Sequence, residues 1–388
     1  MVARITTFAV VDPVVALRRV AYLLEAEGAE TYKVRAFRRA AETLAGESPA
    51  RVQELARTRR LTALPGIGDS TAAVVTEALA GEEPAYLADL VRRAQAPPTG
   101  PAAALRARLR GDCHSHSDWS DGGSPIRDMA EAARALGHDY LALTDHSPRL
   151  TVAHGLNPQR LRQQLDIVAQ LNEELAPFRI LTGIEVDILE DGRLDQDESL
   201  LARLDVVVAS VHSKLSMESG PMTKRMLAAI ESPHTDILGH CTGRKVVGRG
   251  RAQSKFDAEL VFATCARTGT AVEINSRPER RDPPEPLLRQ ALALGCLVSI
   301  DTDAHAPGQL EWLRNGCEQA IEADTPDDRV VNAWPLEQLL AWTAGHAAGE
   351  TGPPENRSRQ IRRRGFPVLR GGHRPTWPRR TPRWSPCL

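Results

Sequence analysis

Asp112-Cys-His-Ser-His-Ser-Asp-Trp-Ser-Asp-Gly122 decides the architecture of this chain. A short apolar run leads into His114 and His116, and Asp121 follows. In an extended strand, residues two apart face the same way, so the two imidazoles can grip one cation from one side. The same pattern recurs downstream. Apolar runs that read as strands end near His114, His146, Glu185, His212, His240, Asn275 and Asp303, and six of the seven deliver a side chain able to hold a divalent cation. Asp303 and His305 repeat the two-residue spacing, provided that strand stays extended. Strand-like runs at 139–144, 179–188, 205–212, 236–239, 270–275 and 297–301 alternate with helical stretches at 158–175, 223–230, 258–267 and 285–294. Such alternation implies a parallel sheet with crossover helices. In a barrel of parallel strands the functional groups gather at the carboxyl ends.

Upstream, residues 14–95 show helical periodicity, as at Val15, Leu17, Val20, Leu23 and Leu24. Leu64-Pro-Gly-Ile-Gly68 is a tight glycine turn opening a helix. Its backbone N–H groups could bind a phosphate, or the glycines could serve only the backbone angles of a helix-helix turn. Pro and Gly cluster between Ala96 and Ala102. The expected division is a helical domain at 1–96, a linker at 97–104, a second domain at 105–349 and a basic Pro/Arg-rich tail at 350–388. The tail's composition cannot bury a core and reads as disordered.

The net charge of −1 conceals a strong segregation, because ten arginines and one acid from Thr351 onward give +9 and leave −10 for the rest. No clean apolar stretch suggests a leader or a membrane span, and the six cysteines contain no C-x-x-C pair. A cytoplasmic protein with reduced thiols and no membrane partner is expected.

Imidazole and carboxylate together suit Zn, Mn or Fe, whereas an all-oxygen set would favour Mg or Ca. The candidate ligands are His114, His116, Asp121, His146, Glu185, His212, His240, Asp303 and His305. Nine exceed what one ion needs, so two or three divalent ions are expected, with at least one carboxylate bridging. His138, His154, His234, His346 and His373 end no such run and read as structural or surface residues.

With these residues laid out, the segment from about Gly111 to Ala348 resembles the PHP family, the polymerase and histidinol phosphatase metal-dependent phosphoesterases. The motifs that carry it are DCHSHSDWSDG (112–122), YLALTDHSP (140–148), GIEVDILEDGRLD (183–195), DVVVASVHS (205–213), DILGHCTGR (236–244), VEIN (272–275) and SIDTDAH (299–305). Their order is most similar to the PHP domain attached to bacterial family X DNA polymerases. The resemblance implies an α/β fold: a distorted seven-stranded (β/α)7 barrel holding three metals, preceded by a small all-α helix-hairpin-helix domain. It also implies a ligand division. The first ion would sit on His114, His116, Glu185 and Asp303, with Glu185 bridging to a second on His212 and His240, and a third on Asp121, His146 and His305. Cys241 stands where the motif usually has proline. Residues 14–95 resemble the helical domain of such polymerases, yet only the short linker separates them from the barrel, which leaves no room there for a nucleotidyl-transferring palm. Val74 occupies the position of the lyase lysine, so Schiff-base lyase chemistry by that route is not expected.

The expected chemistry is hydrolysis of phosphate esters by a metal-bridged hydroxide. Glu185, His212 and Arg244 carry the catalytic roles, with Lys214 or Arg149 as further phosphate contacts or as solvated rim. A 3′-5′ exonuclease-like phosphodiesterase acting on DNA in repair is the first reading. A phosphatase of a small phosphorylated metabolite, such as histidinol phosphate, is the second, and a non-catalytic repair scaffold is the third. The helical module would bring DNA to the cleft, although residues 1–96 carry thirteen basic and twelve acidic groups, a weaker excess than dedicated DNA binders have.

Overall fold

Apolar residues at helical spacing build the first region, in a computed structural model that describes residues 12–94 and 99–347. Helices α1 (Pro13–Ala26), α2 (Thr31–Ala45), α3 (Pro49–Arg57), α4 (Asp69–Leu79) and α5 (Ala85–Arg93) follow in order. Asp12 caps α1, its carboxylate accepting from the Val14 and Val15 N–H groups at 2.8 and 3.0 Å, and Pro13 occupies the first turn, where no donor is needed. Leu17, Val20 and Leu24 of α1, Phe37 and Leu44 of α2, and Val74 and Val75 of α4 share one buried core. The turn between α3 and α4 takes a positive φ of 79° at Gly66, and Thr71 Oγ1 accepts from the Gly68 N–H at 3.0 Å. Both devices start α4 abruptly, as a hairpin of helices requires.

Of the expected linker at 97–104, residues 97 and 98 lie outside the described residues, and the rest largely forms helix α6 (Gly100–Arg108). Its Ala102 and Leu105 share a buried cluster with Val298, Ile300, Leu313 and Cys317. Pro101 stands in the first turn, where its missing N–H is not needed, and burial of those apolar positions stabilises the rest of the helix. The tail at 350–388 lies outside the described residues.

Seven strands follow in chain order, β1 (Gly111–Ser115), β2 (Tyr140–Leu143), β3 (Arg179–Asp187), β4 (Val206–Ser210), β5 (Ile237–Leu238), β6 (Ala271–Asn275) and β7 (Val298–Asp301). All six pairings are parallel. Around them stand α7 (Ile126–Ala135), α8 (Pro158–Leu175), α9 (Glu198–Leu201), α10 (Ser219–Ile230), α11 (Ala258–Thr268), α12 (Glu285–Ala293), α13 (Leu313–Glu322) and α14 (Leu336–Ala347). The barrel nearly closes. Ser115 bridges Ala304, and the His116 N–H donates to the Ala304 carbonyl at 2.8 Å. Lower down, Asn332 replaces the missing ladder, donating to the Gly111 and Ile300 carbonyls at 3.0 and 2.6 Å.

Alternation along the strands separates two environments. Leu141 and Leu143 face outward onto Met129 and Val168 of α7 and α8. Tyr140, Ala142, Leu181, Val206, Val208 and Ile237 face inward, and Trp334, Leu339 and Trp342 close the amino end of the barrel beneath them. β1 breaks this rule usefully. Cys113 belongs to the inner cluster while the adjacent His114 also points inward, because the register shifts between Asp112 and Ser115. Such an irregularity re-aims a side chain. β7 departs from expectation as well: it stops at Asp301, and Asp303 takes a positive φ of 52°. The strand therefore does not stay extended through Asp303 and His305, and strand alternation is not what aims those two residues. The five described cysteines are unpaired and buried. Among the described residues no helix is long and apolar enough to cross a membrane.

Candidate metal centre

Glu185, near the end of β3, is the centre of the assembly. Its Oε1 lies 2.9 Å from His240 Nε2, 3.2 Å from His212 Nε2 and 3.5 Å from His114 Nε2, while Oε2 lies 2.7 Å from His146 Nδ1 and 3.7 Å from His116 Nε2. Two more carboxylates extend the cluster. Asp303 Oδ1 is 3.3 Å from His116 Nε2 and 3.6 Å from His305 Nδ1, and Asp121 Oδ1 is 3.3 Å from His305 Nε2 and 3.4 Å from His146 Nε2. The structure thus brings all nine sequence-derived candidates to the carboxyl ends of the strands. Three groups of ligand atoms lie within 4.8 Å of one another: His116, Asp121, His146 and His305; His114, His116 and Glu185; and His146, Glu185 and His212.

These residues fit divalent cations. Nε2 of His114, His116 and His212, and Oε2 of Glu185, are buried without a hydrogen-bond partner. A buried polar atom left unpaired costs about 1–3 kcal/mol, and so many around one point call for a common partner. Nitrogen and oxygen donors in this mixture suit zinc, manganese or iron. Burial would raise the Glu185 pKa, but His212, His114 and His146 outweigh it and hold that carboxyl well below its usual range. Burial would likewise keep His212 neutral, yet Glu185 and Asp187 lift it to about 9.

Several residues that sequence reasoning missed hold the ligands in place. Glu273 Oε1 is 2.6 Å from His114 Nδ1, and its other oxygen accepts from the His240 N–H. Asp187 Oδ1 is 2.6 Å from His212 Nδ1. Both contacts turn the Nε2 atoms toward the cluster and fix the tautomer. Glu273 and Asn275 lie two apart on β6, inside the barrel, so the one strand end that supplies no candidate ligand still contributes; the inward face of VEIN was the signal. Asp145, beside His146, stays out of the cluster and accepts from Ser117 N–H, Ser117 Oγ and Gln164 Nε2 at 2.8, 2.6 and 2.6 Å, tying down the loop that leads to Asp121.

The expected cations are rearranged. Arg244 donates from Nε to the Arg280 carbonyl at 3.0 Å and from Nη2 to that of Arg281, so its guanidinium builds a turn instead of facing the cluster. Arg149 and Lys214 are exposed. Arg277 and Arg280 take the inner place, with Arg277 Nη1 3.4 Å from Asp303 Oδ1 and Arg280 Nε 3.2 Å from Oδ2. Burial raises and Arg277 lowers the Asp303 pKa, and the net direction is well below the usual range. The run Arg277-Pro-Glu-Arg-Arg281 directly after VEIN was the available clue.

The helical region reaches the same place. Helical region and barrel lie within one compact unit. Glu25, 3% exposed, accepts from the Gly308 N–H at 2.9 Å and from Arg38 Nε at 2.7 Å, and Arg38 also donates to the Gly123 carbonyl. Gly123 donates to the His305 carbonyl at 2.7 Å. A Cβ at Gly308 would collide with the Tyr22 carbonyl oxygen, so only glycine permits this approach. Arg38 is thus a strut between the two regions and leaves the exposed cationic set of Lys33, Arg35 and Arg39.

Residues 12–84 match the family model of a helix-hairpin-helix domain, and residues 112–277 that of the PHP domain. The DNA polymerase/3′-5′ exonuclease PolX of Bacillus subtilis is 41% identical over 235 residues, which are 61% of this chain and 41% of that protein. The chain therefore spans less than half the length of that relative. A probable phosphatase of Thermoanaerobacter is 28% identical over 232 residues, 57% of this chain and 89% of its own length. The crystal structure of histidinol phosphate phosphatase from Lactococcus lactis, complexed with zinc, L-histidinol and phosphate, aligns with 55% of this chain and 92% of its own. Its 20% identity and TM-score of 0.38 are too slight to carry an argument.

Proposed function

We propose, from the premise that the chain carries a PHP domain at 112–277 and a helix-hairpin-helix domain at 12–84, that it is a metal-dependent phosphodiesterase removing nucleotides from the 3′ end of DNA. The convergence of six imidazoles with Glu185, Asp121 and Asp303, five of the imidazoles around Glu185, carries the hydrolytic part of this reading. The helix-hairpin-helix match and the exonuclease name of the Bacillus relative support the substrate. Divalent cations held there, two or three in number and zinc, manganese or iron by donor type, would acidify a water and neutralise charge on the phosphoryl group under attack.

His114, His116, Glu185 and Asp303 would hold one ion, His212 and His240 a second shared with Glu185, and Asp121, His146 and His305 a third. Glu273 and Asp187 keep the imidazoles aimed. Arg277 and Arg280 keep Asp303 ionised and set a positive edge beside it. The residues 105–349 would be the catalytic domain and 1–96 the DNA-guiding one.

The test is hydrolysis by the purified protein, supplied with manganese, of single-stranded DNA labelled at its 5′ end, beside p-nitrophenyl phosphate. A ladder of progressively shortened 5′-labelled products, abolished by a chelator and restored by metal, is the expected result. Turnover of the monoester without any shortening of DNA would favour the second reading, a small-molecule phosphatase, to which the Thermoanaerobacter likeness also points.

A further inference from the structure

One stretch beside the metal centre has no role in what precedes. Residues 245–251 fold back on themselves, Lys245 N–H donating to the Arg251 carbonyl at 3.0 Å and Arg251 N–H to the Lys245 carbonyl at 2.8 Å. The hairpin leans on the segment that braces Asp303, because the Val246 N–H donates to the Glu279 carbonyl at 2.8 Å. Residues 244–251 and 277–281 together hold seven Lys and Arg and one acid, Glu279, and that acid is engaged by Arg277 at 3.0 Å. Residues 245–251 are all exposed, Val246 and Val247 by 52% and 61%.

A surface charge run is ordinarily a solvated face, in which the cations spread apart and find carboxylates. Arg277, Arg280 and Arg281 do find them, in Glu279, Asp303 and Glu322, but the cations of the hairpin do not. Lys245 and Arg249 make no side-chain hydrogen bond or ion pair among the described residues, and Arg251 Nε donates to the Gly243 carbonyl at 2.6 Å, which pins its guanidinium to the hairpin. Burial, and then the like charges of Arg280, Arg251 and Arg277 in turn, push the Lys245 ammonium below its ordinary pKa. Arg280 links the group to the centre, since its Nε is 3.2 Å from Asp303 Oδ2 while its Nη1 is buried without a hydrogen-bond partner. Like charges held together at this density lower their energy by sharing an anion that bears several negative charges in a row. Phosphodiester backbones meet that description, and a phosphomonoester does not extend far enough.

We propose that the 245–251 hairpin is a second phosphate site, which binds the non-scissile phosphates of a polynucleotide while its terminal ester lies in the metal centre. This deepens the proposed function and rests on it: the hairpin is what would make a PHP centre prefer a chain to a monoester. Lys245 and Arg249 contact the backbone as point charges without base readout, so they contribute affinity independent of sequence.

The experiment compares wild type with the double variant Lys245→Gln/Arg249→Gln, both loaded with manganese, on single-stranded oligothymidine and on p-nitrophenyl phosphate across a salt series. The expected result is a KM for DNA raised about tenfold, a salt slope reduced by roughly one unit for each cation lost, and unchanged turnover of the monoester. An equal loss on both substrates would mean that the hairpin only supports the barrel, and an unchanged KM and slope for DNA would mean that it does not meet the strand. Either result overturns the proposal while leaving the exonuclease reading in place. Wild type that leaves DNA intact removes both together. Charge reversal in a second variant, Arg249→Glu, should deepen the DNA defect; parity with Arg249→Gln would count against a phosphate contact.

Discussion

The metal centre has two halves built by different means. His114, Glu185, His212 and His240 lie on or within two residues of strands β1, β3, β4 and β5, held by the ladder and by Glu273 and Asp187 beneath them. Asp121 and His305 lie on loops, Asp303 two residues past β7 leaves the strand direction through a left-handed turn, and their neighbours are braced from outside by α1 and α2 through Glu25 and Arg38. A strand cannot move one side chain without moving its neighbours' hydrogen bonds. A loop can, so precision there has to come from another part of the chain. The helical domain is therefore a structural member of the loop half as well as a candidate DNA module.

The largest expected effect strikes where the halves meet. Glu185→Gln removes the charge around which five imidazoles gather, and hydrolysis of any phosphoester should fall by about a thousandfold or more, with more than one metal lost per chain by elemental analysis. Retention of both activity and metal would dissolve the distinction between the halves. His305→Asn should sharpen it. One ion's worth of metal should be lost and activity lowered by about a hundredfold, with the strand-held ions still present.

A smaller effect tests the brace. Glu25→Gln leaves every ligand intact but weakens the hold on Gly308 and Arg38, so the weakest metal site should lose about tenfold in affinity in a chelator titration while the tightest is unmoved. A uniform loss at all sites would show general loosening instead. Arg38→Met leaves Glu25 buried without its cation, and urea unfolding should report about 3 kcal/mol of destabilisation.

The last prediction lies outside both halves and serves as a control on them. Burial first and Arg106 second lower the His138 pKa to about 3, from an ordinary 6.5, and its Nε2 faces Arg106 Nη2 at 3.1 Å. The unfolded chain binds the extra proton, so this contribution to stability is present above pH 6.5 and is lost as pH falls toward 3. By pH 5 the loss is roughly 2 kcal/mol. His138→Gln should flatten that part of the acid limb in urea titrations, and an identical pH dependence would assign the acid sensitivity to other groups.

The order and spacing of residues alone specify much of the architecture. The periodic runs around His114, His146, Glu185, His212, His240 and Asp303 were enough for a parallel barrel with its chemistry at the carboxyl ends, because strand alternation and crossover connections are local consequences of residue pattern. The same runs did not disclose Glu273 and Asp187 as supports or the diversion of Arg244 to the Arg280 and Arg281 carbonyls. Nor did they show that most of the expected linker at 97–104 belongs to the helix Gly100–Arg108. Those depend on which side chains arrive next to one another after closure.

What the residues determined by themselves, then, is the strand count, the hand-over from helices to barrel and the identity of the nine candidate ligands, all of which follow from short-range periodicity and donor chemistry. Only the tertiary structure decided how the loop-borne ligands are held and where the positive wall stands. Both arise from contacts between segments up to 283 residues apart, as between Glu25 and Gly308, and no local pattern encodes a partner at that separation.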